Sequence, residues 1–455
     1  CVDGSVLGWV EEGVWINGSP SADLIADVVP VTYTVAFDKN ADSATAGSIS
    51  SLTKTYQSTL QLPSAGDSIP TRTGYTFKGW ATRPDATAAQ YTIGLSTDLS
   101  TTQDDTVTLY AVWEAKSITH YVYPDGGTFT DPVSKKTISG SGYTSTSVKY
   151  NQQYSWIFDG YGLQIPTRTG YTFAGWYRGN SLASAQSSST KVTDGTVNTA
   201  TTTSYLAAHW TEHQYTVKYN ANGGSGSMAS STHKYSEVYN LAQNQFTRTG
   251  YNFKGWATSA GGSVVHTDQK SVSKLSSTNN ATVNLYAVWE VKSYTQYVYP
   301  NGGSFTDPVS GTTVSGNGRS TTSGTYGKAY STIFSGKGLP TPTREGYTFA
   351  GWYRSTNLST AQSGGTKITN SSTMNQTSTG YIVAHWTEHQ YTVEYDKNHA
   401  DATGTMASSV KKYSEVFNLA QNRFSRTGYK FLGWATSSTG SMVHTDQKQV
   451  SKLTA

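Results

Sequence analysis

The residues best suited to chemistry stand in the run His209-Trp210-Thr211-Glu212-His213, which returns as His385-Trp386-Thr387-Glu388-His389. H-x-x-E-H is the spacing of an inverted zinc-protease helix, where histidines four residues apart share one face and one metal. Here both copies fall on a segment patterned as a strand that runs into a domain junction. Positions four apart on a strand are ~13 Å apart, too far to share one zinc ion. The corresponding junctions Val112-Trp113-Glu114-Ala115-Lys116 and Val288-Trp289-Glu290-Val291-Lys292 carry no histidine. The expectation is a polar junction and no metal.

Other candidates are weighed in the same way. Asp38-Lys39-Asn40-Ala41-Asp42 opens like a calcium loop, but Ile49 stands where an EF-hand needs glutamate, so a turn rich in Asp and Asn is expected. Arg72, Arg168, Arg248, Arg344 and Arg426 each precede a Gly-Tyr pair by two positions. They either stack on a neighbouring aromatic or form a row of cations for sulfated or phosphorylated glycans. Trp156, Tyr143, Tyr150, Tyr154 and Tyr161 are candidate contacts for a glycan or protein ligand, the alternative being that they pack a longer hairpin. Trp9 and Trp15 are further candidates for exposure. No Ser/His/Asp order recurs and no phosphate loop is present, so neither an enzyme nor a cofactor is indicated.

These residues sit on a fivefold internal repeat. One block runs from Thr71 to Trp80 and recurs at Thr167 to Trp176, Thr247 to Trp256, Thr343 to Trp352 and Ser425 to Trp434. Its anchors are Arg72, Gly74, Tyr75, Phe77, Gly79 and Trp80, matched by Gly170, Tyr171 and Trp176, Gly250, Tyr251 and Trp256, Gly346, Tyr347 and Trp352, and Gly428, Tyr429 and Trp434. A second block closes the first four copies at Trp113, Trp210, Trp289 and Trp386. The anchor tryptophans are spaced 96, 80, 96 and 82 residues apart, so shorter A units alternate with longer B units. Units of this size exceed solenoid repeats and are long enough to own a core. The nine tryptophans of the two blocks read as core.

The assigned boundaries are an N-terminal segment 1–31, A1 32–115, B1 116–212, A2 213–290, B2 291–388 and A3 389–455. In each unit an alternating opening strand is followed by a hairpin partner, then by the anchor strand, where Gly79 permits close approach or a bulge that re-aims Trp80, and last by the closing strand. Ser236 is read as the cap of a short helix over 236–242. Four strands and one short helix make a small, β-rich α+β domain, for which a β-grasp-like arrangement fits. The extra length of the B units falls mainly at 133–162 and 309–338. Ser5–Glu12 and Val14–Asn17 read as two short strands outside the repeat, either the end of a preceding domain or a donor strand. Linkers are almost absent, which predicts an extended, stiff rod of roughly 150–180 Å.

Composition narrows the class. Of 455 residues only 14% are charged and the net charge is +4, so attraction to nucleic acid is not indicated. An aromatic fraction of 13% argues against disorder. Cys1 is the single cysteine, which rules out an intrachain disulfide and leaves acylation or the start of a fragment as readings. No run approaches the roughly 18 apolar residues of a membrane span. The fifth unit stops before a closing strand. Either the polypeptide runs on, or a strand of another copy completes the sheet, with 1–31 as donor in a head-to-tail filament.

Taken together, the chain resembles the Listeria–Bacteroides repeat, also called the internalin B-repeat family. The third unit carries the pattern on Tyr215, Val217, Asn222, Gly223, Gly224, Arg248, Gly250, Tyr251, Phe253, Gly255, Trp256, Leu285, Tyr286, Ala287 and Trp289. The resemblance covers about residues 32–455. It implies β-grasp-like modules of bacterial surface or secreted proteins, non-enzymatic and used as stalks and adhesive repeats. Partners would be neighbouring repeats, other copies, or a host or environmental glycan or protein.

Overall fold

The computed structural model describes residues 5–9, 26–41, 44–45, 49–63, 69, 71–187 and 190–454. Cys1, Trp15, Asp42, Ala455 and the expected strand 14–17 lie outside them. The chain divides into two compact units, one of residues 1–215, 232–237 and 273–281, the other of 216–231, 238–272 and 282–455.

The first A repeat shows the shared plan. Its opening strand Thr32–Asp38 buries Tyr33 and Val35 on one face, the alternation expected of a half-buried strand. It pairs antiparallel with the edge strand Leu52–Thr55 and parallel with the closing strand Thr106–Ala115. The closing strand pairs antiparallel with the anchor strand Tyr75–Ala81, so the order is edge, opening, closing, anchor. The B repeats repeat this order and add a fifth strand outside the anchor strand, Thr190–Val192 in B1 and Thr366–Ile368 in B2.

A bulge is built into each anchor strand. Phe77 faces Trp113 and Gly79 faces Val112, which leaves Lys78 unpaired, and the shift recurs at Phe173/Gly175, Phe253/Gly255 and Phe349/Gly351. The glycine is required. Gly79 has φ +132°, and a Cβ there would lie 2.5 Å from the Tyr91 carbonyl oxygen. The bulge turns the following tryptophan inward, so that Trp80, Trp176, Trp256 and Trp352 are buried.

Two expectations change. Residues 236–242 form no helix; Tyr239–Asn240 is a short strand paired with Ser271–Val272. Among the described residues the helices fall in the B repeats, where Leu182–Ser187 and Leu358–Ser363 pack on the sheet through Ala185 and Ala361. The B insertion supplies a small hairpin, Thr128–Thr130 with Thr137–Ser139, then the edge strand Thr144–Lys149. Next comes a tight turn whose buried Phe158 has φ +53°.

In the N-terminal segment Ser5–Trp9 falls within the expected strand Ser5–Glu12. Ser5–Trp9 pairs with Ala26–Pro30, from Ser5 opposite Pro30 to Trp9 opposite Ala26. That is the register of Tyr75 opposite Ala115 to Trp80 opposite Ala111, with the bulged residue deleted. The two strands form a two-stranded sheet of their own.

One core residue should make B1 acid-sensitive. His120 is fully buried, with Nδ1 2.6 Å from Ser204 Oγ, and burial, with a smaller push from the Arg178 charge, lowers its pKa to about 4. The unfolded chain takes up this proton near pH 6.5 and the folded repeat only near 4, so stability present above 6.5 is lost as pH falls through that window. At pH 5 the loss is about 2 kcal/mol. Thermal melts between pH 7.5 and 4.5 should show it, and His120→Gln, which places in B1 the residue found at Gln296, should flatten it.

Candidate functional site at the repeat junctions

The anchor motif begins with a turn. The Tyr171, Tyr251, Tyr347 and Tyr429 amides donate to the carbonyls of Arg168, Arg248, Arg344 and Arg426, with glycine between at φ +74° to +80°. This places each guanidinium over its own tyrosine: Arg72 on Tyr75, Arg168 on Tyr171, Arg248 on Tyr251, Arg344 on Tyr347 and Arg426 on Tyr429, all within 3.7–4.0 Å of the ring centre. Arg168 also donates to the Asp125 carbonyl and Arg344 to the Asn301 carbonyl, while Arg426 pairs with Asp401. The arginines are thus held inside their own repeats.

The open face of this turn receives the next repeat. A single residue separates each closing strand from the following opening strand: Lys116, His213, Lys292 and His389. Its amide donates to the motif glycine's carbonyl (Gly74, Gly170, Gly250, Gly346) at 2.8–2.9 Å. Its carbonyl accepts from the amide of the tyrosine that ends the next repeat's edge strand (Tyr150, Tyr235, Tyr326, Tyr413), again at 2.8–2.9 Å. That tyrosine's ring lies against the glycine, where a Cβ would come within 2.1–2.2 Å of ring atoms. It meets the motif tyrosine edge to face at 5.6–6.2 Å. Two such joints lie in each compact unit. The fifth motif keeps the Arg426–Tyr429 stack, but Gly428 has no atom in contact range and Tyr429 is 67% exposed. Near the N-terminus the Tyr56 amide donates to the Val31 carbonyl at 2.9 Å, as at the other joints.

The H-x-x-E-H residues take part in this geometry separately. His209 stacks on Tyr177 at 4.0 Å, and its Nε2 donates to the Ala185 carbonyl. His213 Nδ1 donates to the Ser277 carbonyl at 2.7 Å, so its Nε2 accepts from Thr172 Oγ1, also at 2.7 Å. Glu212 accepts from the Tyr171 hydroxyl and the Ser236 amide, tying the two sides of the B1–A2 joint; Glu388 does the same with Tyr347 and Ser414. Hydrogen bonds from the serine hydroxyl and amide hold both carboxyls below the usual glutamate range. These contacts are complete above that range and weaken as the glutamates protonate at lower pH. At the A-to-B joints the glutamate instead pairs with a lysine of its own repeat, Lys78–Glu114 and Lys254–Glu290.

The B-insertion candidates are not brought together. Tyr154 is fully buried in the core and Tyr150 is a joint tyrosine, so neither is a ligand contact. Trp156 (59% exposed) and Tyr161 (63%) are on the surface, the latter under Lys135, and Tyr143 (54%) joins a tyrosine cluster on the sheet. The tryptophans of the closing block, Trp113, Trp210, Trp289 and Trp386, are half-buried. Each indole N–H donates to a carbonyl of its own opening hairpin: Lys39, Pro124, Ala221 and Pro300.

Residues 33–112, 128–203, 215–288, 309–375 and 391–454 each match the Listeria–Bacteroides repeat domain. The chain belongs to this family. Two relatives from Evansella cellulosilytica are similar to this repeat array. One, named "Putative membrane protein", is 29% identical over 286 residues, 61% of this chain and 36% of its own length. The other, named "Putative Gly-rich membrane protein", is 27% identical over 354 residues, 75% of this chain and 32% of its own. The chain thus spans about a third of the length of each. Among its described residues no helix is long and apolar enough to cross a membrane.

The joint makes a direct prediction. In Gly250→Val the left-handed backbone alone costs about 1–2 kcal/mol, and the new side chain displaces Tyr326. Cleavage by a lysine-specific protease after Lys292 should rise at least roughly tenfold, because it reports the opened population. Ser310→Val, away from any joint, should leave that rate unchanged.

Proposed function

We propose that this chain is a non-catalytic shaft of a bacterial surface protein, in which β-grasp-like domains are held in a fixed row by tyrosine–glycine joints. The observation that carries the reading is the joint itself. One linking residue, two backbone hydrogen bonds and an aromatic contact recur at four successive junctions. Domains meant to swivel are joined by longer, flexible linkers. The proposed boundaries are 32–115, 116–212, 213–290, 291–388 and 389–455; three begin a repeat at its linking residue, and at the A2–B2 joint Val291 still belongs to the A2 closing strand, one position before Lys292.

The β-grasp assignment is supported by the parallel central pair of opening and closing strands, flanked by edge and anchor strands. Among the described residues a helix packed on the sheet is found in the B repeats, which makes the A repeats pared-down versions. Surface attachment is supported by the relatives' names and by the family. The absence of a catalytic role is supported by the structural use already made of the histidines, glutamates and arginines of the motifs.

Small-angle scattering of the purified chain tests this. A stiff row of five domains should have a maximum dimension of roughly 150–180 Å, unchanged between low and moderate salt. Combining Gly74→Val, Gly170→Val, Gly250→Val and Gly346→Val should broaden the distance distribution without unfolding the repeats. A compact particle, or a wild-type distribution as broad as that of the fourfold variant, would overturn the proposal.

A further inference from the structure

The outer face of the B-repeat sheets carries a tyrosine array that neither the core nor the joints use. In the opening strand Ser117–Tyr123, Ile118, His120 and Val122 point into the core and Tyr121 and Tyr123 point outward. Tyr205 of the closing strand lies opposite Tyr121. Tyr143, just before the edge strand, completes the group. Ring centres are 5.3 Å apart for Tyr121–Tyr143, 5.6 Å for Tyr121–Tyr205, 5.1 Å for Tyr123–Tyr143 and 6.4 Å for Tyr123–Tyr205. The other half of this face is covered by the repeat's own helix, whose Ala185 carbonyl takes the His209 ring N–H. Among the described residues no helix covers the tyrosine half.

B2 shows which of these features is kept. Tyr297, Tyr299 and Tyr381 occupy the places of Tyr121, Tyr123 and Tyr205, with Tyr297 opposite Tyr381 at 5.6 Å. Tyr143 is replaced by Arg319, whose planar guanidinium lies 4.0 Å over Tyr297 and donates to the Tyr299 hydroxyl. The exposed aromatics of the insertion are not kept, since Thr332 stands for Trp156 and Lys337 for Tyr161. Core positions also differ, as with His120 and Gln296, or Asn198 and Met374. The outward tyrosines persist where these other positions change, and a planar guanidinium stands where Tyr143 stood.

We propose that the tyrosine arrays of the two B repeats, Tyr121/Tyr123/Tyr205 and Tyr297/Tyr299/Tyr381, bind a neutral polysaccharide. Ring faces carry a negative quadrupole that attracts the C–H face of a sugar. Phenolic hydroxyls, each both donor and acceptor, match sugar hydroxyls. No cation lies over Tyr121, Tyr123, Tyr143 or Tyr205 among the described residues, whereas stacking platforms for single-stranded nucleic acid are set in positively charged grooves. Arg319 can serve sugar hydroxyls as a donor fork without changing the ligand class.

The test is affinity electrophoresis of the whole chain through native gels containing soluble neutral polysaccharides, namely a mixed-linkage glucan, a galactomannan, a xylan and a soluble starch. Polygalacturonate and single-stranded DNA form separate arms. At least one neutral polysaccharide should retard the chain. Combining Tyr121→Ala, Tyr205→Ala, Tyr297→Ala and Tyr381→Ala should weaken this at least tenfold, and either pair alone should give an intermediate loss. Trp156→Ala with Tyr161→Ala should bind as the unaltered chain does. Near-UV circular dichroism checks folding; if the fourfold variant fails it, the corresponding Tyr→Phe set, which keeps the rings and removes the hydroxyls, should still weaken binding several-fold. Retardation by no neutral polysaccharide, retardation only by the acidic polymer or the DNA, or full binding by the folded tyrosine variants would overturn the proposal.

Discussion

At each of the four described joints a tyrosine ring rests where a glycine has no side chain, and the rest of the array is built to make that contact possible. The anchor turn must expose a bare Cα, which needs glycine, and must hold it at positive φ, which glycine also favours. The Arg–Tyr stack stiffens the wall beside it. One linking residue makes both backbone hydrogen bonds, so the joint has no slack. Lengthening the linker would remove the geometry that brings the ring to the glycine. The motif Arg-x-Gly-Tyr therefore serves two repeats at once, closing a turn in one and seating a side chain of the next.

Inside each repeat a second aromatic arrangement ties the motif blocks together. Phe77 stands between Trp80 and Trp113 at 5.1 and 5.6 Å, and Phe173, Phe253 and Phe349 stand between their own two tryptophans in the same way. Edge-to-face pairs of this kind add about 0.5–1.5 kcal/mol beyond burial. The bulge at the following glycine is what lets both tryptophans reach the phenylalanine. The closing tryptophan's indole N–H is then spent on the opening turn, so the strand that ends the repeat is pinned to the strand that begins it. The joint and the core share the anchor strand, and a change in one is felt in the other.

The same economy explains why residues that suggest chemistry have structural employment. A histidine pair spaced for zinc is split between an outer-face stack on Tyr177 and a junction hydrogen bond to Ser277. The glutamates of the same motif bridge the B-to-A joints.

Much of the fold was legible in the chain because it is written five times. The repeat spacing, the strand alternation, the Gly79 bulge and the near-absence of linkers are local or periodic properties, and local backbone preferences determine them. The short helix expected at 236–242 was misplaced because Ser236, a good cap in isolation, is claimed by Glu212 of the preceding repeat. The pairing of Ser5–Trp9 with Ala26–Pro30 was not read, because partners distant along the chain are set by strand register and not by local pattern. The joint itself was invisible for the same physical reason. Gly74 and Tyr150 lie 76 positions apart, and their contact depends on how two sheets meet, which no periodicity encodes. The sequence by itself determined the repeats, their strands and the turn glycines, since these depend on neighbours along the chain. Tertiary structure alone decided which tyrosines became core, joint or surface, because that depends on which face of which strand each one ended on.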